Sequence, residues 1–208
     1  MKILALEFSS SRRSVGITES AQALSRVETD EVRQSPLTLI DRALNEANLP
    51  RESISTIALG TGPGSYTGIR SAIATAQGWQ LARNINLLPI HSTEILAATA
   101  RANGLRGETH FIIDAQRHEY YHATWNLTEE TQTETTPLRI INAAEAAQLE
   151  AHGPDADGFP TCEPLYPDAA ILAQLATTRT GFQPGEAIEP IYLRQTNFTK
   201  APPPRKLD

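Results

Sequence analysis

Leu59-Gly60-Thr61-Gly62-Pro63-Gly64-Ser65-Tyr66-Thr67-Gly68-Ile69-Arg70 is the stretch from which the rest of the chain can be read. An apolar run, Ile54 to Leu59, leads into it and an Ala-rich periodic segment, Ile69 to Arg83, leads out. That pattern predicts a strand, a glycine-dense turn and a helix N-terminus. Glycines at 60, 62 and 64 permit positive φ and close backbone approach. Pro63-Gly64 predicts a tight turn, and Ser65 or Thr67 can cap the helix by accepting from a first-turn N–H. The free N–H groups and positive dipole end suit an anion or a partner's acceptor atoms. Two phosphate loops fail the test of spacing. A P-loop needs Lys and then Ser or Thr after its last glycine, but Gly68 is followed by Ile69 and Arg70, and the only lysines are Lys2, Lys200 and Lys206. A dinucleotide fingerprint needs a third glycine where Ser65 stands. A nucleophile elbow is also missing, because Ser65 follows Gly64 without a spacer. A structural strand-to-helix turn remains open beside a ligand-binding one.

Gly62-Pro63-Gly64-Ser65-Tyr66-Thr67-Gly68-Ile69-Arg70 resembles the GPGSFTGLR signature of the bacterial TsaB (YeaZ) family. Further pieces agree in order: Ile3-Leu4-Ala5-Leu6, Ala76-Gln77-Gly78, Ile90-His91-Ser92, Ile113-Asp114-Ala115-Gln116-Arg117 and Glu189-Pro190-Ile191-Tyr192-Leu193-Arg194. Agreement is weakest over 127–186. The resemblance implies an α/β fold of the actin-like/Hsp70-like ATPase (ribonuclease H-like) class. Its N-terminal lobe would span 1–104 and a reduced C-terminal lobe 105–208. It also implies a non-catalytic dimerisation subunit for synthesis of threonylcarbamoyladenosine at position 37 of tRNAs that read ANN codons. The expected partners are a catalytic TsaD-type paralogue and a small TsaE-type ATPase. Transfer RNA would be met only through the complex, ATP and Mg²⁺ only at the level of the complex, and a homodimer would form when the chain is alone.

Length and charge agree with that picture. The 208 residues suffice for one large domain or two lobes, and 18 basic against 24 acidic residues give a net charge of −6. A free-standing nucleic-acid binder is normally basic. Cys162 is the only cysteine, which excludes an intramolecular disulfide. The N-terminal apolar run breaks at Glu7, too soon for a signal peptide or a membrane span. The expected location is the cytoplasm.

In chain order, Ile3 to Phe8 predicts a buried strand ending in the polar cluster Ser9-Ser10-Ser11-Arg12-Arg13, and 15–18 and 24–27 predict a hairpin around Glu19 to Ala21. Ser35-Pro36 predicts a helix start, with Leu37, Ile40, Leu44 and Ala47 at helical spacing. The strand at 54–59, the helix to 83, a strand at 87–90 and a helix capped by Ser92 complete the order β-β-β-α-β-α-β-α. Strands are expected at 110–114, 120–125 and 188–193, and helices at 142–149 and 168–178. A solvated loop is expected at 128–136, loop at 152–167, and an extended tail at Ala201 to Pro204.

Three sets of residues carry candidate chemistry. Leu37, Ile40, Leu44, Ile69, Ala72, Ile73, Ala76 and Arg83 form apolar and small-residue faces on two helices. They suit either an internal core or a partner, and we assign them to the partner surface. That assignment predicts that Ala76→Arg abolishes association while the fold survives. Glu7, Ser9, Ser10, Gly62, Gly64, Ser65, Thr67 and Asp114 could retain a nucleotide or phosphate role, with Asp114 facing Glu7 across a cleft. Family members commonly carry Asp where this chain has Glu7, and many carry a His where it has Gln34, so one potential metal ligand is absent. The third set, His118-Glu119-Tyr120-Tyr121-His122, matches the zinc motif H-E-x-x-H, with Glu145 as a conceivable third ligand. The segment from Tyr120 to Trp125 predicts a strand instead. There, residues four apart lie ~13 Å apart, too far to share one zinc. No metal site and no catalytic residues are assigned.

Overall fold

The computed structural model describes residues 1–31, 34–154 and 156–193. Its first sheet has the order β3-β2-β1-β4-β5, built from β1 (Lys2–Glu7), β2 (Arg13–Glu19), β3 (Gln22–Thr29), β4 (Thr56–Gly60) and β5 (Asn86–Ile90). β1–β3 run antiparallel, whereas β1, β4 and β5 run parallel. The central strand β1 is apolar throughout because both of its faces are covered. Leu4 and Leu6 point into a core under α1 (Pro36–Glu46) and α2 (Tyr66–Arg83), and Ile3 and Ala5 into a core with α3 (Ser92–Ala102). Ser20 and Ala21, both at positive φ, make the β2–β3 turn, where the sequence expects it.

The second sheet has the order β8-β7-β6-β9-β10: β6 (Gly107–Asp114), β7 (Glu119–Leu127), β8 (Gln132–Asn142), β9 (Ala151–Gly153) and β10 (Glu163–Pro164). Order and directions repeat those of the first sheet, antiparallel from β6 to β8 and parallel through β6, β9 and β10. The second lobe therefore keeps the topology while its parts shrink. Its first helix is the single turn α4 (Ala143–Ala146), held by a reciprocal capping box between Asn142 and Glu145. A three-residue 3₁₀ turn at Ala156–Gly158 stands where the first lobe has α2. The α/β actin-like architecture expected from the sequence is the one observed. The chain passes between the sheets after α3, and α5 (Ala169–Ala176) crosses back to pack on β1 and β2. At Gly16 on β2, a Cβ would come within 2.8 Å of the Ala169 carbonyl, so the glycine admits the start of that helix.

Several local expectations need correction. The polar run at 128–136 is a tight turn only to Thr131, and the rest opens β8. That strand's Thr133, Glu134 and Thr135 are exposed because it is a sheet edge. β9 runs into the expected loop 152–167 and β10 lies inside it. Residues 188–193 form no strand. Pro190 lacks the donor for a ladder, and the segment follows a 3₁₀ turn at Gly185–Ala187 in an irregular path. Ser35 precedes α1 without a side-chain cap bond. Arg194 and the Pro-rich tail lie outside the described residues. Among the described residues no helix is long and apolar enough to cross a membrane.

Candidate functional site

The glycine turn joins β4 to α2. Ser65, not Thr67, caps the helix, its Oγ accepting from the Gly68 N–H at 3.3 Å. Gly62 and Gly64 sit at φ of 97° and 143°, which explains the glycines there. The space around the turn is filled by the chain itself. A Cβ at Gly60 would overlap the Glu7 carboxylate, one at Gly64 the Ser9 carbonyl, and one at Gly68 the Phe8 carbonyl. Two of the turn's backbone donors are engaged, Ser65 N–H to the Ser9 carbonyl at 2.6 Å and Gly62 N–H to Ser92 Oγ at 3.1 Å, and the Gly62 carbonyl accepts from the Ser92 N–H at 2.7 Å. The last of the sequence motifs docks here too, with the Ile191 N–H on the Thr61 carbonyl at 2.9 Å and Tyr192 stacked on Tyr66 at 5.5 Å.

Glu7 ends β1 beneath this turn and is fully buried. Its Oε1 accepts from the Ser9 N–H at 2.7 Å and its Oε2 from the Ser92 hydroxyl at 3.3 Å. Burial pushes its carboxyl up to about 6, against the opposing pull of the bonds from Ser9 and Ser92. Asp114 does not join it. That carboxylate accepts from the backbone and side-chain N–H groups of Gln116, each at 2.7 Å. It lines an open cavity of about 550 Å³ with Ser11, Arg117, His118, Tyr120 and Tyr166, and Glu7 is not in that lining. The expected Glu7–Asp114 pairing across one cleft is thus corrected. Ser9 and Ser10 are buried in the β1–β2 turn, with Ser10 Oγ donating to the Arg12 carbonyl at 2.9 Å.

The zinc-motif segment is no helix. His118 is exposed at φ 61° in the turn, Glu119 opens β7, and His122 lies buried within that strand. What His122 meets is His110 on β6, its diagonal neighbour across the hairpin, Nε2 to Nδ1 at 3.2 Å. His110 was not singled out from the sequence. Centring the hairpin turn on residues 115–118 would have brought the two together. Among the described residues, no three His, Cys, Asp or Glu side chains are grouped to hold a metal.

The association residues divide sharply. Ile40, Leu44, Ile69, Ala72, Ile73 and Ala76 are buried in the core between the two helices and the sheet. They cannot also be surface, and Ala76, with no exposed area, has no room for an arginine. Leu37 is 51% exposed, and Arg83 donates to the Glu52 carbonyl at 2.9 Å. Between α1 and α2 runs an open groove of about 560 Å³, lined by Pro36, Leu37, Ala74, Gly78, Trp79 and Ala82. Beside it Leu81 is 90% exposed. The outer face of α2 was legible only as small residues, identical in type to those that it buries.

Comparison with known proteins places this architecture. The family model described as "TsaD: tRNA N6-adenosine threonylcarbamoyltransferase" matches residues 30–176. The chain is 29% identical over 132 residues to the tRNA threonylcarbamoyladenosine biosynthesis protein TsaB of Escherichia coli, covering 62% of this chain and 57% of that protein. For TsaB of Haemophilus influenzae the figures are 28% over 127 residues, 58% and 52%. An uncharacterized Mycobacterium leprae protein is 32% identical over 152 residues, 67% of this chain but 38% of its own length. The chain therefore spans 38 to 57% of the length of these three curated relatives. YeaZ from Pseudomonas aeruginosa superposes with a TM-score of 0.80 at 25% identity, over 92% of this chain and 99% of that one. The family model covers more than half of the chain, and the signature at 62–70 lies within it, so the chain belongs to the TsaD-type family, on its TsaB/YeaZ branch.

Proposed function

We propose that this chain is a non-catalytic scaffold in the synthesis of threonylcarbamoyladenosine at position 37 of tRNAs that read ANN codons. In this reading it holds a catalytic TsaD-type paralogue against the groove between α1 and α2. The observation that carries the reading is the self-filled glycine turn. Where a nucleotide-using relative would need open N–H groups and an exposed acid, Phe8, Ser9 and Glu7 occupy the space. Such a turn fixes α2 rigidly on the sheet and leaves its outer face free for helix-to-helix contact. The similarity to threonylcarbamoyladenosine biosynthesis proteins supports the pathway, and the apolar groove beside exposed Leu37 and Leu81 supports the surface. A small ATPase of the TsaE type, with ATP and Mg²⁺, belongs to the assembled complex in this account, and all of it works in the cytoplasm. The same face pairs two copies when the paralogue is missing.

The test is co-purification of the full chain with its TsaD-type paralogue. Gly78 is exposed in the groove, and a Cβ there would meet nothing within 4 Å. Gly78→Arg should therefore fold normally and lose the paralogue. Full retention of the paralogue by a folded Gly78→Arg would move the interface elsewhere.

A further inference from the structure

Three polar atoms converge on the face of the second sheet away from α3. His110 Nδ1 lies 3.2 Å from His122 Nε2 and 3.1 Å from Thr124 Oγ1, and Thr124 Oγ1 lies 3.5 Å from His122 Nε2. A tetrahedral ion with ligand bonds of ~2.0–2.1 Å has ligand-to-ligand edges of ~3.3–3.4 Å. The three atoms thus outline one face of such a site. His122 and Thr124 are fixed within β7 and buried, while His110 on β6 is only half-buried and leaves a way in. The other ring nitrogen of His122, Nδ1, is buried without a partner, so the ring's polar contacts all run through Nε2 toward this point.

We propose that His110, His122 and Thr124 form a site for a divalent ion of the zinc–copper end of the first transition row, with water completing the coordination. Neutral imidazoles select these ions over magnesium or calcium, which prefer all-oxygen sites. The nearest charges largely offset one another, since Arg139 and Glu145 face His122 and pair at 3.5 Å. With two imidazoles and a hydroxyl, affinity should be below that of four-ligand structural zinc. The H-E-x-x-H match thus contains one true ligand, His122, but its partner stands across the hairpin and not at His118.

The experiment is isothermal titration of tag-free full-length chain, stripped with chelator, using ZnCl₂, CuCl₂ and MgCl₂. Thermal melting in the same salts gives a second readout. Saturable binding of about one zinc or copper per chain is expected, raising the melting temperature, with no response to magnesium. His110→Ala and Thr124→Val should each weaken zinc about 10-fold or more without unfolding the metal-free protein, since neither removes core volume as His122→Ala would. His118→Ala should bind as wild type. No saturable zinc or copper binding would overturn the proposal. So would binding that survives both His110→Ala and Thr124→Val, or that disappears in His118→Ala.

Discussion

Glu7 is a fully buried carboxylate at the end of β1, and its burial depends on Gly60 and on the turn folded over it. Its folded carboxyl titrates at about 6 against an ordinary 4.5. Between those values the native state holds a proton that the unfolded chain releases, so wild-type stability falls as pH rises from 4.5 through 6. The shift corresponds to roughly 2 kcal/mol. Glu7→Gln keeps the acceptor for the Ser9 N–H and should be more stable by about that amount at pH 7.5, and no more stable at pH 4. Urea unfolding at the two pH values reads this directly. His122 works in the opposite sense. Its lowered titration means stability is complete above about 6.5 and is lost as pH falls through 4, so the acid limb should survive in Glu7→Gln. Glycine identity is testable in the same way. Gly68→Ala drives a methyl into the Phe8 carbonyl and should cost ~2 kcal/mol or more, whereas Gly78→Ala should stabilise by ~0.5–1 kcal/mol.

Among the elements, the long periodic ones were legible and the short or polar ones were not. The first-half order follows from apolar runs and caps that strands and helices of ordinary length need. β8 escaped because an edge strand does not need an apolar face along its whole length, and β9 and β10 are too short to leave a periodicity. α2 poses a subtler problem. Its buried face carries Ala72 and Ala76 and its exposed face Ala74, Gly78 and Leu81, so composition cannot tell core from surface. Ala76→Arg consequently becomes a folding probe. It should abolish cooperative unfolding or shift expressed protein to the insoluble fraction, while Gly78→Arg, two residues on, should melt within a few degrees of wild type. Circular dichroism melts of the pair decide it. Equal stability of the two variants would contradict the burial of Ala76 against the sheet.

The two sheets share one strand order, yet among the described residues only the first has full-length helices over both faces. The resemblance implied only a reduced second lobe, and the shared strand order emerges in the structure, since topology survives where side-chain patterns do not. Closure of the β1 turn on the α2 N-terminus and the docking of Ile191 and Tyr192 there tie that end of α2 to the first sheet. Its proposed task is to present the α1–α2 face to a catalytic paralogue. Mass spectrometry of total-tRNA nucleosides, after depletion of this protein in its source organism, tests that claim most directly. Threonylcarbamoyladenosine should fall, return with the wild-type chain and with a His118→Ala/His122→Gln double variant, and stay low with folded Gly78→Arg. An unchanged level of the nucleoside with the protein verifiably gone would contradict the account.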